Sequence, residues 1–148
     1  YYCGVKMTLD ELKIQVAIDL KVNDERLDTE SLKNQELYAK YLDIKSRFEL
    51  LMYKAKGDYK MLYRDKWEYY GGKSDANVYV TKPFDLKVLK SDLSIYIESD
   101  EDIIKIENKI VYLEVVVKYV DGVLKSISAR GWDIKNAIQW KNFEAGLM

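Results

Sequence analysis

The sequence has no histidine, one cysteine and one proline among its 148 residues, and only seven glycines. Without histidine the chain lacks the side chain most often used for acid-base catalysis or metal binding near neutral pH. A single thiol, Cys3, excludes a disulfide within the chain and any multi-cysteine metal site, and it fits a reducing compartment. So little proline and glycine argues against a turn-rich all-β architecture, while 48% hydrophobic residues argue against disorder. No run approaches the roughly twenty consecutive apolar residues that span a bilayer, and the start lacks a cationic region followed by an apolar one. The chain therefore reads as a soluble cytoplasmic protein with no membrane partner. No glycine-rich loop ends in Lys-Ser or Lys-Thr, and no zinc-ligand spacing occurs. Neither an enzyme nor a cofactor or metal site is expected. The acidic groups Asp10-Glu11 and Asp100-Glu101-Asp102 stand at helix starts, where they complement the helix dipole without any metal.

What remains is helix-forming sequence, and a mainly α fold of two long helices plus shorter ones is expected. Residues 1–6 precede Met7 and read as an upstream extension or non-native remnant, with no role assigned to Cys3. Residues 7–148 read as one helical domain, divided into N-terminal helices (7–71), a linker (72–83) and C-terminal helices (84–148). Thr8 with Glu11 forms a capping box, predicting a first helix from Leu9 to about Leu20 with Leu9, Leu12, Val16 and Leu20 on one face, a docking arm. A long helix is expected from Asp28 to Tyr70, capped by Asp28 or Thr29. Its Leu37, Tyr41, Ile44, Phe48, Leu51 and Ala55 alternate steps of four and three, and the phase slips near Gly57, where a stutter or bend is expected. Gly71-Gly72 supplies a left-handed stop. The polar stretch to Lys82 is the main loop, with Asn77–Thr81 extended in one reading. Beyond Pro83, Phe84, a capping Asp85 and Leu89 have the form of a hydrophobic staple, predicting a helix over Leu86–Glu98. The alternation Leu93, Ile95, Ile97 suits a strand equally.

The strongest pattern follows Ser99-Asp100 and runs to about Phe143. Ile106, Ile110, Leu113, Val117, Val120, Leu124, Ile127, Gly131, Ile134 and Ile138 continue a seam that opens at Ile103, and Val116, Val123 and Ala137 widen it. Such a helix is roughly 60 Å long, against a radius of gyration near 15 Å for a compact domain of this size. It either breaks, at Gly122 or Gly131, or other subunits cover the overhang by coiled-coil-like packing.

The net charge is -1, so any attraction to a polyanion must be local. Between Tyr53 and Lys73, Lys54, Lys56, Lys60, Arg64, Lys66 and Lys73 outnumber Asp58, Asp65 and Glu68 by three. Tyr53, Tyr59, Tyr63, Trp67, Tyr69 and Tyr70 are interleaved with them. Cations that track phosphates beside flat rings that stack on bases are the means by which single-stranded nucleic acid is held. Solvated charges with tyrosines and Trp67 in a core or interface are the plainer reading. A coiled-coil adaptor that binds no nucleic acid and an RNA-binding regulator also fit the helices.

Two segments go beyond generic helix rules: Arg130-Gly131-Trp132-Asp133-Ile134-Lys135, closing on Phe143-Glu144-Ala145-Gly146, and Arg64-Asp65-Lys66-Trp67-Glu68-Tyr69-Tyr70-Gly71. Together with the Met7-x-Leu-x-x-Leu opening, they resemble the UvsY recombination mediators of tailed bacteriophages over nearly the whole chain, the linker from Gly72 to Pro83 excepted. The resemblance implies a ring-like homo-oligomer of the hexamer or heptamer class, built by the seam Ile106–Ile138. It implies binding of single-stranded DNA coated by the phage single-strand-binding protein, contact with that protein and with a UvsX-type recombinase, and loading of the recombinase in the cytoplasm of the infected host. Arg64 and Lys66 match the family's basic pair, with Lys60, Lys73, Tyr63, Tyr69 and Tyr70 as further DNA-binding candidates.

Overall fold

The computed structural model describes residues 7–147, so the expectations for residues 1–6 and Cys3 lie outside the described residues. Five α-helices account for most of these residues, and no strand occurs among them. Helix α1, Leu9–Asp19, starts at the expected capping box: Thr8 Oγ1 accepts from the Glu11 N–H at 3.2 Å, and Glu11 Oε2 accepts from the Thr8 N–H at 3.3 Å. Leu12 is its buried residue, and Ile14 and Ile18 face solvent.

Helix α2, Leu27–Tyr70, is entered through a 3-10 turn, Asp24–Arg26. That turn is capped by Asn23, whose Oδ1 accepts from the Glu25 N–H at 3.0 Å, and Asp28 and Thr29 lie within the first turn of α2 rather than ahead of it. The helix continues through Gly57, where a Cβ would meet nothing within 4 Å. It ends as its glycines foretell. Gly72 takes φ +74°, its N–H donates to Tyr69 O at 3.2 Å, and the Lys73 N–H donates to Glu68 O at 2.7 Å. This left-handed closure satisfies carbonyls that the helix end leaves free.

The linker departs from expectation. Ala76–Thr81 is a short helix, α3, not an extended segment. The reason is Tyr79, whose hydroxyl donates to Tyr69 O at 2.7 Å while the Ser74 N–H donates to it at 3.2 Å, folding the linker back on the end of α2. The helix predicted over Leu86–Glu98 is shorter too. Residues 83–89 are irregular, a 3-10 turn covers Lys90–Asp92, and helix α4 is Leu93–Glu98. Leu86 and Leu89 are exposed, so no staple forms at Asp85, and Val88 packs instead on Leu93, Ile97 and Ile103. Leu93 and Ile97 are buried while Ile95 is exposed, a four-residue step that rules out the strand.

Helix α5, Glu101–Glu144, begins where Asp100 Oδ1 accepts from the Asp102 N–H at 2.9 Å, and it passes unbroken through Gly122 and Gly131. Of its seam, Leu113, Val120, Leu124, Ile127 and Ile134 are buried within the single chain, with Val116 and Val123. Ile106, Ile110, Val117, Gly131 and Ile138 are half-buried.

The chain clusters into two compact units that cut across the expected division by sequence, because α2 and α5 each contribute to both. One unit comprises the chain up to Leu50 with the segment from Val115 onward; the other is Leu51–Glu114. In the first, Arg130 is buried and donates to Leu20 O at 3.1 Å, Lys21 O at 3.4 Å, Glu30 O at 3.2 Å and Asn34 Oδ1 at 3.1 Å, and it pairs with the Glu30 carboxylate. Asn34 Nδ2 donates to Ile127 O at 2.8 Å, and a Cβ on Gly131 would lie 3.2 Å from that nitrogen. The Arg-Gly pair of the C-terminal motif therefore ties α5 to α2 and to the exit of α1. Asp19 adds a second tie, accepting from Lys40 Nζ at 2.6 Å and the Tyr41 hydroxyl at 2.7 Å. In the second unit the core is Leu93, Ile97 and Ile103, covered by Tyr59, Leu62, Tyr63, Tyr70 and Val88.

Candidate nucleic-acid interface

The second unit holds all seven DNA-binding candidates, on the last turns of α2 and just past its end. Helical geometry sorts them into two sets, because positions four and seven apart share a face. Lys60, Arg64 and Trp67 share one face, and all three are exposed. The Arg64 guanidinium lies 3.8 Å from Asp65 in an open pair with 69% of its side chain in solvent. Lys60 has no ion pair among the described residues. Lys73 completes this face by placing its Nζ 4.3 Å from the centre of the Trp67 ring. Here an unpaired lysine, an arginine in an open pair and a lysine over the indole share one exposed face, so the cations can meet phosphates while the ring meets a base.

Lys66, Tyr63 and Tyr70 belong to the other set and turn toward the unit's core. Tyr63 packs on Leu93, Ile97 and Ile103 and tilts against Tyr59, with ring centroids 6.0 Å apart. The Tyr70 hydroxyl donates to Asp100 Oδ2 at 2.6 Å, and its ring meets Phe84 edge-on at 5.0 Å. Burial, reinforced by the Asp100 carboxylate, pushes the Tyr70 hydroxyl above the usual tyrosine range. Tyr69 stacks on Tyr79 at 5.4 Å and donates to Lys82 O at 2.9 Å, so one face of its ring is already covered. These tyrosines hold the linker and α4 in place.

Lys66 lies in a cradle at the start of α5. Its Nζ is 2.8 Å from Asp102 Oδ2 and 3.2 Å from Asp100 Oδ2, and its side chain is only 13% exposed. Burial works against its charge, but the hydrogen bonds to Asp102 and Asp100 outweigh burial and hold the ammonium pKa above the usual lysine value. Burial likewise opposes the charge on Asp100, and donation from Tyr70, the Asp102 N–H and Lys66 outweighs it, leaving that carboxyl below its ordinary range. Asp102 is lowered by Lys66. A cavity of about 700 Å³ opens here, lined by Lys66, Tyr69, Lys73, Lys82, Asp100 and Asp102 among others.

The structure thus brings Lys60, Arg64 and Lys73 together and separates Lys66, Tyr63 and Tyr70 from them. Trp67, one of the interleaved rings but not among the residues named as DNA-binding candidates, shares the open face. Its place three residues after Arg64 and seven after Lys60 is the signal that marks it. No group of His, Cys, Asp and Glu able to hold a metal occurs among the described residues, and no described helix is long and apolar enough to cross a membrane.

Residues 15–147 match the family model described as "Recombination, repair and ssDNA binding protein UvsY". The recombination protein uvsY of Enterobacteria phage T4 is 25% identical over 140 residues, covering 95% of this chain and 99% of that protein. The crystal structure of the bacteriophage T4 recombination mediator protein UvsY in lattice type II superposes with a TM-score of 0.81 at 25% identity, covering 94% of this chain and 98% of that one. Its lattice type I form gives a TM-score of 0.80 at 24% identity, over 90% and 98% of the two chains, and bears on the fold. With nine-tenths of its length matched by one family model and the same helical fold, the chain belongs to the UvsY family of recombination, repair and single-stranded-DNA-binding proteins.

Proposed function

We propose that this chain is a recombination mediator. It binds single-stranded DNA through the open face Lys60, Arg64, Trp67 and Lys73, and helps load a UvsX-type recombinase onto strands coated by the phage single-strand-binding protein, in the cytoplasm of the infected host. The observation that carries this reading is the exposed cationic face around an exposed indole in a chain whose net charge is -1. A patch of three cations is weak alone and becomes strong when several copies engage one flexible strand, because later contacts form at high effective concentration. A ring-like homo-oligomer, hexamer or heptamer in class, supplies such copies. Self-association is supported by apolar surface that α5 leaves open: Trp132, Trp140 and Phe143 are each more than 60% exposed. The half-buried seam residues Ile106, Ile110, Val117, Gly131 and Ile138 are further candidates for that contact.

The test is a titration of a fluorescently labelled single-stranded oligonucleotide at several salt concentrations. For single strands the log-log salt slope is about -0.7 per phosphate neutralised, so Lys60→Ala with Arg64→Ala should flatten it by about 1.4. Lys66→Ala alone should flatten it less, since that ammonium is already paired. An unchanged slope in the Lys60, Arg64 double variant places the DNA site elsewhere.

A further inference from the structure

The basic pair that the family motif points to is not an equal pair in this chain. Arg64 stands open, whereas Lys66 donates to two carboxylates at the start of α5, Asp100 just ahead of the helix and Asp102 in its first turn, more than thirty residues away in sequence. The three charges of that cradle sum to one negative, so while Lys66 is held the cradle repels the polyanion that the neighbouring face attracts.

We propose that Asp100 and Asp102 are built-in competitors of the DNA backbone, holding Lys66 in a carboxylate cradle that an incoming phosphate must displace. The inference rests on the reading of the open face as a single-stranded-DNA site. A carboxylate and a phosphate present the same kind of acceptor oxygens to an ammonium, and each makes charge-assisted hydrogen bonds with it. The cradle is built to survive the loss of its lysine. Asp100 also accepts from the Tyr70 hydroxyl at 2.6 Å and from the Asp102 N–H at 2.9 Å, and the helix N-terminus favours both carboxylates. Asp102 is 55% exposed, so water replaces Lys66 there at little cost. Asp100, only 10% exposed, loses a counter-charge when Lys66 leaves but keeps the Tyr70 hydroxyl and the Asp102 N–H as donors. The cavity beside it, shared with Lys73, gives a strand held on the open face room to reach it.

The functional consequence is a site whose affinity per subunit is kept low until the strand lies close enough to exchange one anion for another. A mediator that must pass its strand on gains a ready route to release, because the carboxylates reclaim the lysine as the phosphate leaves.

Adjacent residues supply the control. Glu101 lines the same cavity and carries the same charge as Asp102, yet makes no ion pair with Lys66. Oligonucleotide titrations at low salt are compared for the unaltered protein, Asp102→Asn, Glu101→Gln, Lys66→Ala and the Asp102→Asn, Lys66→Ala double variant, after melting curves confirm that each is folded. Because Asp100 caps α5, Asp100→Asn is the second probe, since asparagine retains the cap. Loss of one charge-assisted contact corresponds to about a tenfold gain in affinity for Asp102→Asn. Removing a charge that acts only through solvent gives about twofold for Glu101→Gln. The tenfold gain should vanish when Lys66 is also alanine. Equal gains at positions 101 and 102, or a gain that persists without Lys66, overturn the proposal. Acylation of lysines, read by mass spectrometry without DNA, adds an independent measure: Lys66 should react more slowly than Lys60 and speed up in Asp102→Asn. If the unaltered protein binds DNA and these contrasts are absent, the competitor idea alone fails. If no variant binds DNA, the functional reading fails and takes the competitor role with it, even where Lys66 stays shielded.

Discussion

Replacing Arg130 by alanine should unfold this protein more readily than any single change on its surface. The guanidinium is buried, bonds to carbonyls at the exit of α1 and at the start of α2, and pairs with Glu30, itself buried. Removing it strands the Glu30 carboxylate and leaves acceptors of Leu20, Lys21, Glu30 and Asn34 without their donor. Loss of one member of a buried pair costs about 3–5 kcal/mol. For a chain of this size each kilocalorie lowers the melting temperature by about 2–4 °C, so a fall of roughly 10 °C is expected. Arg130→Lys should recover only part of it, because an ammonium keeps the charge but cannot fork across four residues. Adding Glu30→Gln to Arg130→Ala should restore some stability by removing the stranded charge. Urea and thermal unfolding followed by helical circular dichroism, at one fixed protein concentration, measures all three. A cost below about 1 kcal/mol for Arg130→Ala, or no rescue by Glu30→Gln, would refute the claim that the motif arginine is a structural tie.

The glycines of the long helices should divide by surroundings. Gly57→Ala and Gly122→Ala meet open space and should each stabilise by up to about 1 kcal/mol, whereas Gly131→Ala presses on Asn34 Nδ2, itself held by Ile127 O, and should gain nothing; urea midpoints read the contrast. Asp19 is held below its ordinary carboxyl value because donation from Lys40, Tyr41 and Gln15 outweighs the opposing effect of burial. Its contribution is therefore present above the unfolded carboxylate value of about 3.9 and is lost as pH falls through the lower folded one. Stability measured from pH 5 downward should drop less steeply in Asp19→Asn than in the unaltered protein.

The parts of the fold legible in the sequence are those fixed by neighbours along the chain. Thr8 with Glu11, the glycine closure at Gly72 and the α2 and α5 apolar periods all act within a few residues. The parts that were not legible depend on distant partners. Asp85 has the form of a cap, yet Val88 finds better company on Leu93, Ile97 and Ile103, and the expected first turns of that helix stay irregular. Asn77–Thr81 folds into a helix because the Tyr79 hydroxyl reaches Tyr69 O. The C-terminal Arg130-Gly131 stands out as a motif, but its reason lies about a hundred residues away at Glu30 and Asn34. The same holds at the candidate site. Charge counting along residues 53–73 finds the cations and cannot see that Asp100 and Asp102 hold Lys66.

Trp67 has a practical consequence of its own. An indole with an ammonium 4.3 Å from its ring centre carries an optical reporter of that ammonium's position, since a nearby charge shifts its emission. A strand that draws Lys73 away, or lays a base on the ring, changes the fluorescence of the unlabelled protein. With Trp132 and Trp140 exchanged for phenylalanine to clear the background, each stage of strand capture and hand-over becomes visible in a stopped-flow trace without a dye on either partner.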